Sequence, residues 1–186
     1  MAAPNAITHL AGWENFYVIV GSSAGALIGL QFVVMTLISE GRGKAISKGH
    51  KTSSRQISAF GTPTVIHFAA SLLIAAAMSV PWESVAGLRA TLGIFGIVGT
   101  AYAVTVIHHA LSQKGYKPVL EDWIFYAAVP LATYALLFVA AFLLASNLNN
   151  SLFMVAIVAL SLLFIGIHNS WDTVTYMVIG GVHDGE

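Results

Sequence analysis

The stretch LFMVAIVALSLLFIGIHNSW, residues 152–171, contains no Asp, Glu, Lys or Arg. A helix of about 20 apolar residues is long enough to cross the hydrocarbon core of a bilayer. Four stretches of similar length and character precede it, at residues 17–39, 60–80, 88–110 and 123–145. The sequence therefore predicts an all-α integral membrane protein, a bundle of five transmembrane helices that forms a single domain over residues 1–186.

The far end of the fifth span can be placed in two ways. Apolar residues continue after Asp172, so the span either ends near residue 172 or extends as a long, tilted helix to about residue 180. The Gly180-Gly181 pair is a suitable helix stop. We therefore expect one continuous helix that ends at this pair.

Basic residues are confined to two short segments, apart from Arg89. Loops rich in Lys and Arg stay on the cytoplasmic side of a membrane. The pattern predicts that the N-terminus is outside, the C-terminus is cytoplasmic, and the protein is a multi-pass protein of a bacterial inner membrane. The basic residues of the two segments are Arg42, Lys44, Lys48, Lys51 and Arg55, followed by Lys114 and Lys117.

Composition excludes several classes of function. Only 9% of the residues are charged and 57% are hydrophobic, whereas a soluble domain has about 25% charged residues. The formal net charge is zero, so the chain lacks the basic footprint that a nucleic-acid partner requires. Cysteine is absent, which excludes disulfides, thiol catalysis and cysteine-ligated metal.

The first span carries a stripe of glycines. Gly21, Gly25 and Gly29 recur every four residues and therefore lie on one helix face, where two backbones can approach closely. This face either packs against another span of the same chain, such as the third span with its own glycines, or joins subunits of a homo-oligomer.

Ionisable side chains inside the spans are costly and suggest function. His67 shares a helix face with Thr64 and Ser71 and lies about 10 Å from the inner boundary of the second span. His168 and Asp172 are one turn apart on the fifth span and share a face. Neither His67 nor His168 has an evident route to water.

Further polar residues lie toward the inner side of the bundle. They are Gln31 on the first span, His108 and His109 at the end of the third, and Glu121 and Asp122 at the start of the fourth. The two acidic residues would also suit a helix N-terminus without any other role, and the two histidines would suit the membrane interface. The outer half of the spans offers few such groups, and this asymmetry is the main functional indication in the sequence.

One hypothesis is transport. An oligomer in which His67, His168, Asp172, Gln31 and His108 face a polar path could conduct protons or small cations, since histidine titrates near neutral pH. Prolines that break the second and fourth spans, as Pro63 and Pro130 are expected to do, are common where backbone lines a cavity. The scarcity of polar groups in the outer half counts against a complete path.

A second hypothesis is a metal or haem site, with a redox or hydrolytic role. His67, His108, His168 and Asp172 would supply three imidazoles and a carboxylate, which suit Zn or non-haem Fe. Alternatively, two of the histidines could bind a haem axially between helices. The spacing offers little support, because the chain has no His-x-x-His or His-x-x-x-His pair.

A third hypothesis is a non-catalytic accessory subunit of a larger membrane complex, with membrane lipids as its other partners. The basic segment from Arg42 to Arg55 could bind anionic headgroups at about 1 kcal/mol per charge, although it could equally serve only to orient the protein. We place transport first, because it gives a use both to the glycine stripe and to the buried titratable groups.

Overall fold

A computed structural model of the protein describes residues 10–47, 55–112 and 120–183, and these residues are helical apart from short turns. The basic residues Lys48, Lys51, Lys114 and Lys117 lie outside the described residues, as do the side chains of Arg42, Lys44, Arg55 and Asp122. The orientation across the membrane therefore remains a prediction from the charge pattern.

The described chain folds into a series of long helices with one π-helical segment. They are α1 (Glu14–Ser47), α2 (Arg55–Ser79), α3 (Val85–Ser112), α4 (Leu120–Trp123), the π-helical segment π1 (Ile124–Ala128), α5 (Val129–Leu143) and α6 (Leu148–His183). We call the end of the bundle that contains Asp172 the inner end, because the charge pattern predicts that it is cytoplasmic.

Four helical stretches are long and apolar enough to cross a membrane, namely Glu14–Leu37, Val85–His109, Ile124–Leu143 and Leu148–Thr175. The fifth, α2, contains a shorter apolar stretch, Pro63–Ser79, within a helix of 25 residues. At 1.5 Å per residue that helix is about 37 Å long, which exceeds the hydrocarbon thickness. The prediction of an all-α helical membrane bundle is confirmed, and the chain is a polytopic integral membrane protein.

The helix α6 occupies the centre of the bundle. It packs against α2 on one side and α5 on the other, while α1 packs on α2 and α3 packs on α5. In agreement with this order, 56% of the apolar stretch of α6 is buried, against 17% for the corresponding stretches of α1 and α3. Residues on α2, α5 and α6 are therefore the ones that can meet inside the protein.

Two glycines explain the close approach of neighbouring helices. A Cβ atom at Gly96 of α3 would lie 2.7 Å from the backbone nitrogen of Phe138 on α5, and a Cβ atom at Gly166 of α6 would overlap the ring of Phe68 on α2. The glycines of α3 therefore pack against α5, and not against the glycine stripe of α1 as one expectation had it.

The prolines do not both break their helices. The helix α2 is continuous through Pro63, so the expected break there is wrong. Pro130 comes two residues after the end of π1, and the intervening Val129 N–H donates to the carbonyl of Ile124 five residues earlier. Because proline has no N–H to donate, a change of hydrogen-bond register is tolerated at this point.

The helix α6 runs through Asp172 without a break and reaches His183. The expected continuous helix is therefore present, but it does not end at Gly180-Gly181. Glycine costs only about 1 kcal/mol relative to alanine inside a helix, which the neighbouring apolar residues of α6 can offset.

Candidate functional site

A buried histidine and a buried tyrosine form a pair between two spans near the centre of the bundle. His67 Nδ1 on α2 and the Tyr134 hydroxyl on α5 share a hydrogen bond of 3.0 Å, and both residues are only 2% exposed. The ring of Tyr102 on α3 lies edge-on to His67, with ring centroids 6.5 Å apart. We call His67 and Tyr134 the central pair. His67 is twelve residues from Ser79, or about 18 Å along the helix.

The face of α2 that carries His67 is turned into the protein. Thr64 and Ser71, which share this face, are both fully buried. The Ser71 hydroxyl donates to the carbonyl of Ala159 on α6 at 2.9 Å. The expectation that these three residues lie on one face is consistent with this common burial, and the face meets α5 and α6.

A second group of polar residues lies at the inner end, between α6 and the start of the fourth span. The Tyr126 hydroxyl donates to Asp172 Oδ2 at 3.0 Å, and His168 Nε2 lies 3.4 Å from Glu121 Oε1. The Phe125 ring stacks on the His168 imidazole at a centroid distance of 3.7 Å. We call these five residues the inner cluster.

The π-helical segment positions two of the five residues of the inner cluster. Phe125 and Tyr126 both belong to π1, and each contacts a polar residue of α6. A π-helical turn shifts the side chains that follow it relative to an α-helix, and such turns occur frequently at functional sites. The inner cluster is open to its surroundings, since the Glu121 side chain is 71% exposed and that of His168 is 23% exposed.

Asn169, next to His168 on α6, is a buried amide without a partner. Its relative exposure is zero, and neither Nδ2 nor Oδ1 has a hydrogen-bond partner in the described part of the protein. His168 Nδ1 is likewise buried and unpartnered. An orphaned buried polar group of this kind calls for a physical explanation.

Gln31 lies apart from both groups. It is 5% exposed and accepts a hydrogen bond from the Ser170 hydroxyl at 3.1 Å. The two residues line a mainly apolar cleft of about 250 Å³ between α1 and α6. The structure therefore places Gln31 at a packing contact of the edge helix α1, and not on a path shared with His67.

The histidines at the end of α3 are exposed. His109 Nδ1 donates to the carbonyl of Thr105, one turn earlier, at 2.9 Å. Because α3 is an edge helix, His108 and His109 lie at the margin of the bundle, and we do not count His108 among the candidate transport residues.

The predicted metal site is not assembled. Among the residues that the structure describes, no three His, Asp or Glu side chains come close enough to hold a metal ion. His67, His108, His168 and Asp172 therefore do not form the expected ligand set, because the structure gives His67, His168 and Asp172 separate protein partners. The haem alternative stays a prediction.

The glycine stripe of α1 is only partly used within the chain. A Cβ atom at Gly21 would lie 3.2 Å from the Cβ atom of Ala75 on α2, whereas atoms added at Gly25 and Gly29 would meet no atom of the described residues within 4 Å. Packing inside the chain thus accounts for the outer part of the stripe alone. The two remaining glycines form an open surface on an edge helix.

Sequence reasoning missed the tyrosines and Asn169. It considered charged and imidazole groups inside the spans, but a buried Tyr hydroxyl also needs a hydrogen-bond partner. Tyr102, Tyr126 and Tyr134 lie in otherwise apolar stretches. A tyrosine in such a stretch could have been identified from the sequence as a candidate for a buried hydrogen bond.

No protein-family model, curated protein or solved structure matches the chain. The function is therefore argued from the geometry of the central pair and the inner cluster.

Proposed function

We propose that the protein transports protons or small cations across the membrane and takes them up from its inner side. The observation that carries this proposal is the central pair, in which a buried histidine shares a hydrogen bond with a buried tyrosine from another span. A histidine can accept and release a proton near neutral pH, and a tyrosine hydroxyl can both donate and accept a hydrogen bond.

Stability alone gives little reason for such a pair. Side-chain hydrogen bonds between membrane helices contribute only about 0.6 kcal/mol on average. Polar and ionisable groups inside a membrane are costly, and they typically mark ion pathways or proton relays. A functional role explains His67 better than a structural role does.

The distribution of buried polar groups supports uptake from the inner side. Apart from Ser151 and the Tyr17 hydroxyl, the buried polar side chains among the described residues lie at the level of Ser71 or closer to the inner end. The outer half is filled by apolar residues such as Leu88, Leu137 and Leu152, which are fully buried. We therefore place the inner part of the proposed route within one chain, from the inner cluster toward the central pair.

The protein is proposed to work as a homo-oligomer whose subunits join along α1. Gly25 and Gly29 leave an open surface on α1, and small residues let membrane helices associate closely. A homo-oligomer joined along this surface would also give the exposed side chain of Ser22, which shares this helix face, a place at a subunit interface.

Flux measurements on reconstituted protein test the proposal. We expect wild-type proteoliposomes to dissipate an imposed proton or cation gradient faster than protein-free liposomes, and His67→Leu to reduce that flux by roughly tenfold or more, since loss of a positioned titratable group removes the relay. The matched control is His109→Leu, which alters an exposed histidine of the edge helix. Wild-type flux equal to that of empty liposomes would reject the proposal.

A second candidate function is that of an accessory subunit in a larger membrane complex, and the open glycine surface favours it. An accessory subunit would copurify with a different protein and would not form a homo-oligomer. Gly25→Leu would then release that protein. In the transport case the same variant would lower the mass of the purified oligomer and the flux together. Mass measurement of the detergent-solubilised protein distinguishes the two outcomes.

A further inference from the structure

Unpartnered polar atoms are concentrated on two consecutive residues of α6. Among buried side-chain polar atoms of the described residues, those without a hydrogen-bond partner are His168 Nδ1, Asn169 Nδ2, Asn169 Oδ1 and the hydroxyl of Tyr17. Three of these four atoms therefore belong to His168 and Asn169. Buried polar groups in native proteins are nearly always paired, so this concentration marks a particular place in the fold.

The amide of Asn169 cannot be satisfied from outside the protein. Its relative exposure is zero, so neither a lipid headgroup nor a second polypeptide can reach it without rearranging α2, α5 or α6. In a bilayer, bulk water is not at hand to pair such a group. Its partner has to be a small species inside the bundle.

The position of Asn169 connects the two groups of polar residues. It precedes Asp172 by three residues on α6 and so shares a helix face with a member of the inner cluster. The ring of Phe68 on α2 packs against Gly166, which brings the inner end of α2 beside this part of α6. His67, the residue before Phe68, belongs to the central pair.

The chemistry of the unpartnered atoms identifies the ligand. A carboxamide presents one acceptor oxygen and a nitrogen with two donor hydrogens. A bare cation would use only the oxygen, and an anion would use only the N–H groups. Water both donates and accepts, and buried waters typically make about three hydrogen bonds to otherwise unsatisfied groups.

We propose that Asn169 and His168 line a buried hydration site, in which one or more water molecules bridge the inner cluster and the central pair. The presence of the water follows from the orphaned atoms, whereas its role as a link in a conduction path rests on the proposed transport function. The residues of α6 that flank the site contact Phe68 of α2 and Phe125 and Tyr126 of π1.

Water-edited solid-state NMR on the reconstituted full chain tests for this water directly. His168–Asn169 is the single His-Asn dipeptide in the sequence, so carbonyl-¹³C-His combined with ¹³C,¹⁵N-labelled Asn identifies the backbone nitrogen of Asn169, from which its side-chain amide is assigned through Cα, Cβ and Cγ. We expect magnetisation transfer from water to the Asn169 side-chain amide to approach that of the exposed Asn150. The fully buried backbone amides of Val158 and Leu162 give the dry reference. Transfer to Asn169 no faster than to this reference would overturn the proposal.

The variant Asn169→Leu separates the hydration site from the transport function. With the amide removed, water transfer to the backbone amides of residues 168–170 should fall to the level of the dry reference, and flux should fall with it. If the water signal is lost while flux stays at the wild-type value, the hydration site stands and its role in transport is rejected. If the water signal persists unchanged in Asn169→Leu, the assignment of the site to Asn169 is wrong. Gln31→Leu is the matched control, because it removes a buried amide that already has a partner.

Discussion

The candidate functional residues of this protein are polar side chains whose partners come from another span. His67 has its partner on α5, Asp172 has its partner on π1, and His168 lies between a phenylalanine and a glutamate of the fourth span. Each contact crosses a helix interface and therefore depends on the packing of the whole bundle. At the residue scale, the pairing of groups carries more information than the presence of any one histidine.

The central pair makes a stability prediction that is independent of flux. Tyr134→Phe leaves the buried His67 Nδ1 without its partner, and an unsatisfied buried group costs about 1–3 kcal/mol. We expect His67→Leu combined with Tyr134→Phe to be more stable than Tyr134→Phe alone, because replacing both partners by apolar groups is nearly neutral. Thermal unfolding of the single and double variants in detergent measures this. Strictly additive losses would show that the two side chains are not coupled.

At the scale of elements, the sequence predicts where the helices are. It does not predict which side chains of neighbouring helices contact one another. The run of apolar residues at 152–171 and its four counterparts predict five helices, because the bilayer thickness fixes their length. The polar face formed by Thr64, His67 and Ser71 also follows from helical periodicity. The π-helical turn at Ile124–Ala128 has no periodic signal, yet it decides which side chains of the fourth span meet His168 and Asp172.

The glycines are a second case in which the sequence pattern does not determine the contacts between helices. The four-residue stripe of α1 predicts close packing, but only Gly21 has a close neighbour among the described residues of the other helices. The three-residue spacing on α3 is a weaker pattern, and yet Gly96 lies directly against α5. Sequence periodicity identifies a face of a helix, and the position of the neighbouring helix determines whether that face is used.

A matched pair of alanine substitutions tests this packing. Gly96→Ala places a Cβ atom 2.7 Å from the backbone nitrogen of Phe138, and overpacking of this kind costs about 1–3 kcal/mol. Gly25→Ala meets nothing within 4 Å, and alanine has the better helix propensity. We therefore expect Gly96→Ala to lower the melting temperature and Gly25→Ala to leave it unchanged or raise it slightly. Equal melting temperatures for the two variants would contradict the close α3–α5 contact.

At the scale of the whole molecule, the asymmetry of polar groups was predictable and their separation into two groups was not. The sequence places its titratable residues toward one end of the spans, and the structure agrees for the buried polar residues other than Tyr17 and Ser151. It cannot show the order of the helices around α6, which places α1 and α3 at the edges. For that reason the sequence groups Gln31 and His108 with His67, whereas the structure places them on the edge helices α1 and α3.

The predicted orientation can be tested by labelling single introduced cysteines, because the chain has no cysteine of its own that would react. Ser84→Cys, in the short connection between α2 and α3, should react with a membrane-impermeant maleimide added to intact cells. Lys117→Cys, in the second basic segment, should react only after the membrane is permeabilised, since Lys- and Arg-rich loops stay inside. The opposite labelling pattern would place the inner cluster on the outer side of the membrane.

The central claim is that the His67–Tyr134 pair conducts, and the measurement that tests it most directly is flux through the double variant His67→Leu, Tyr134→Phe. This variant removes both polar groups and leaves no orphaned partner, so its stability should be close to that of the wild type. In proteoliposomes with equal protein content, the account predicts wild-type dissipation of a proton or cation gradient and flux at the level of empty liposomes for the double variant. A folded double variant that conducts as well as the wild type would contradict it.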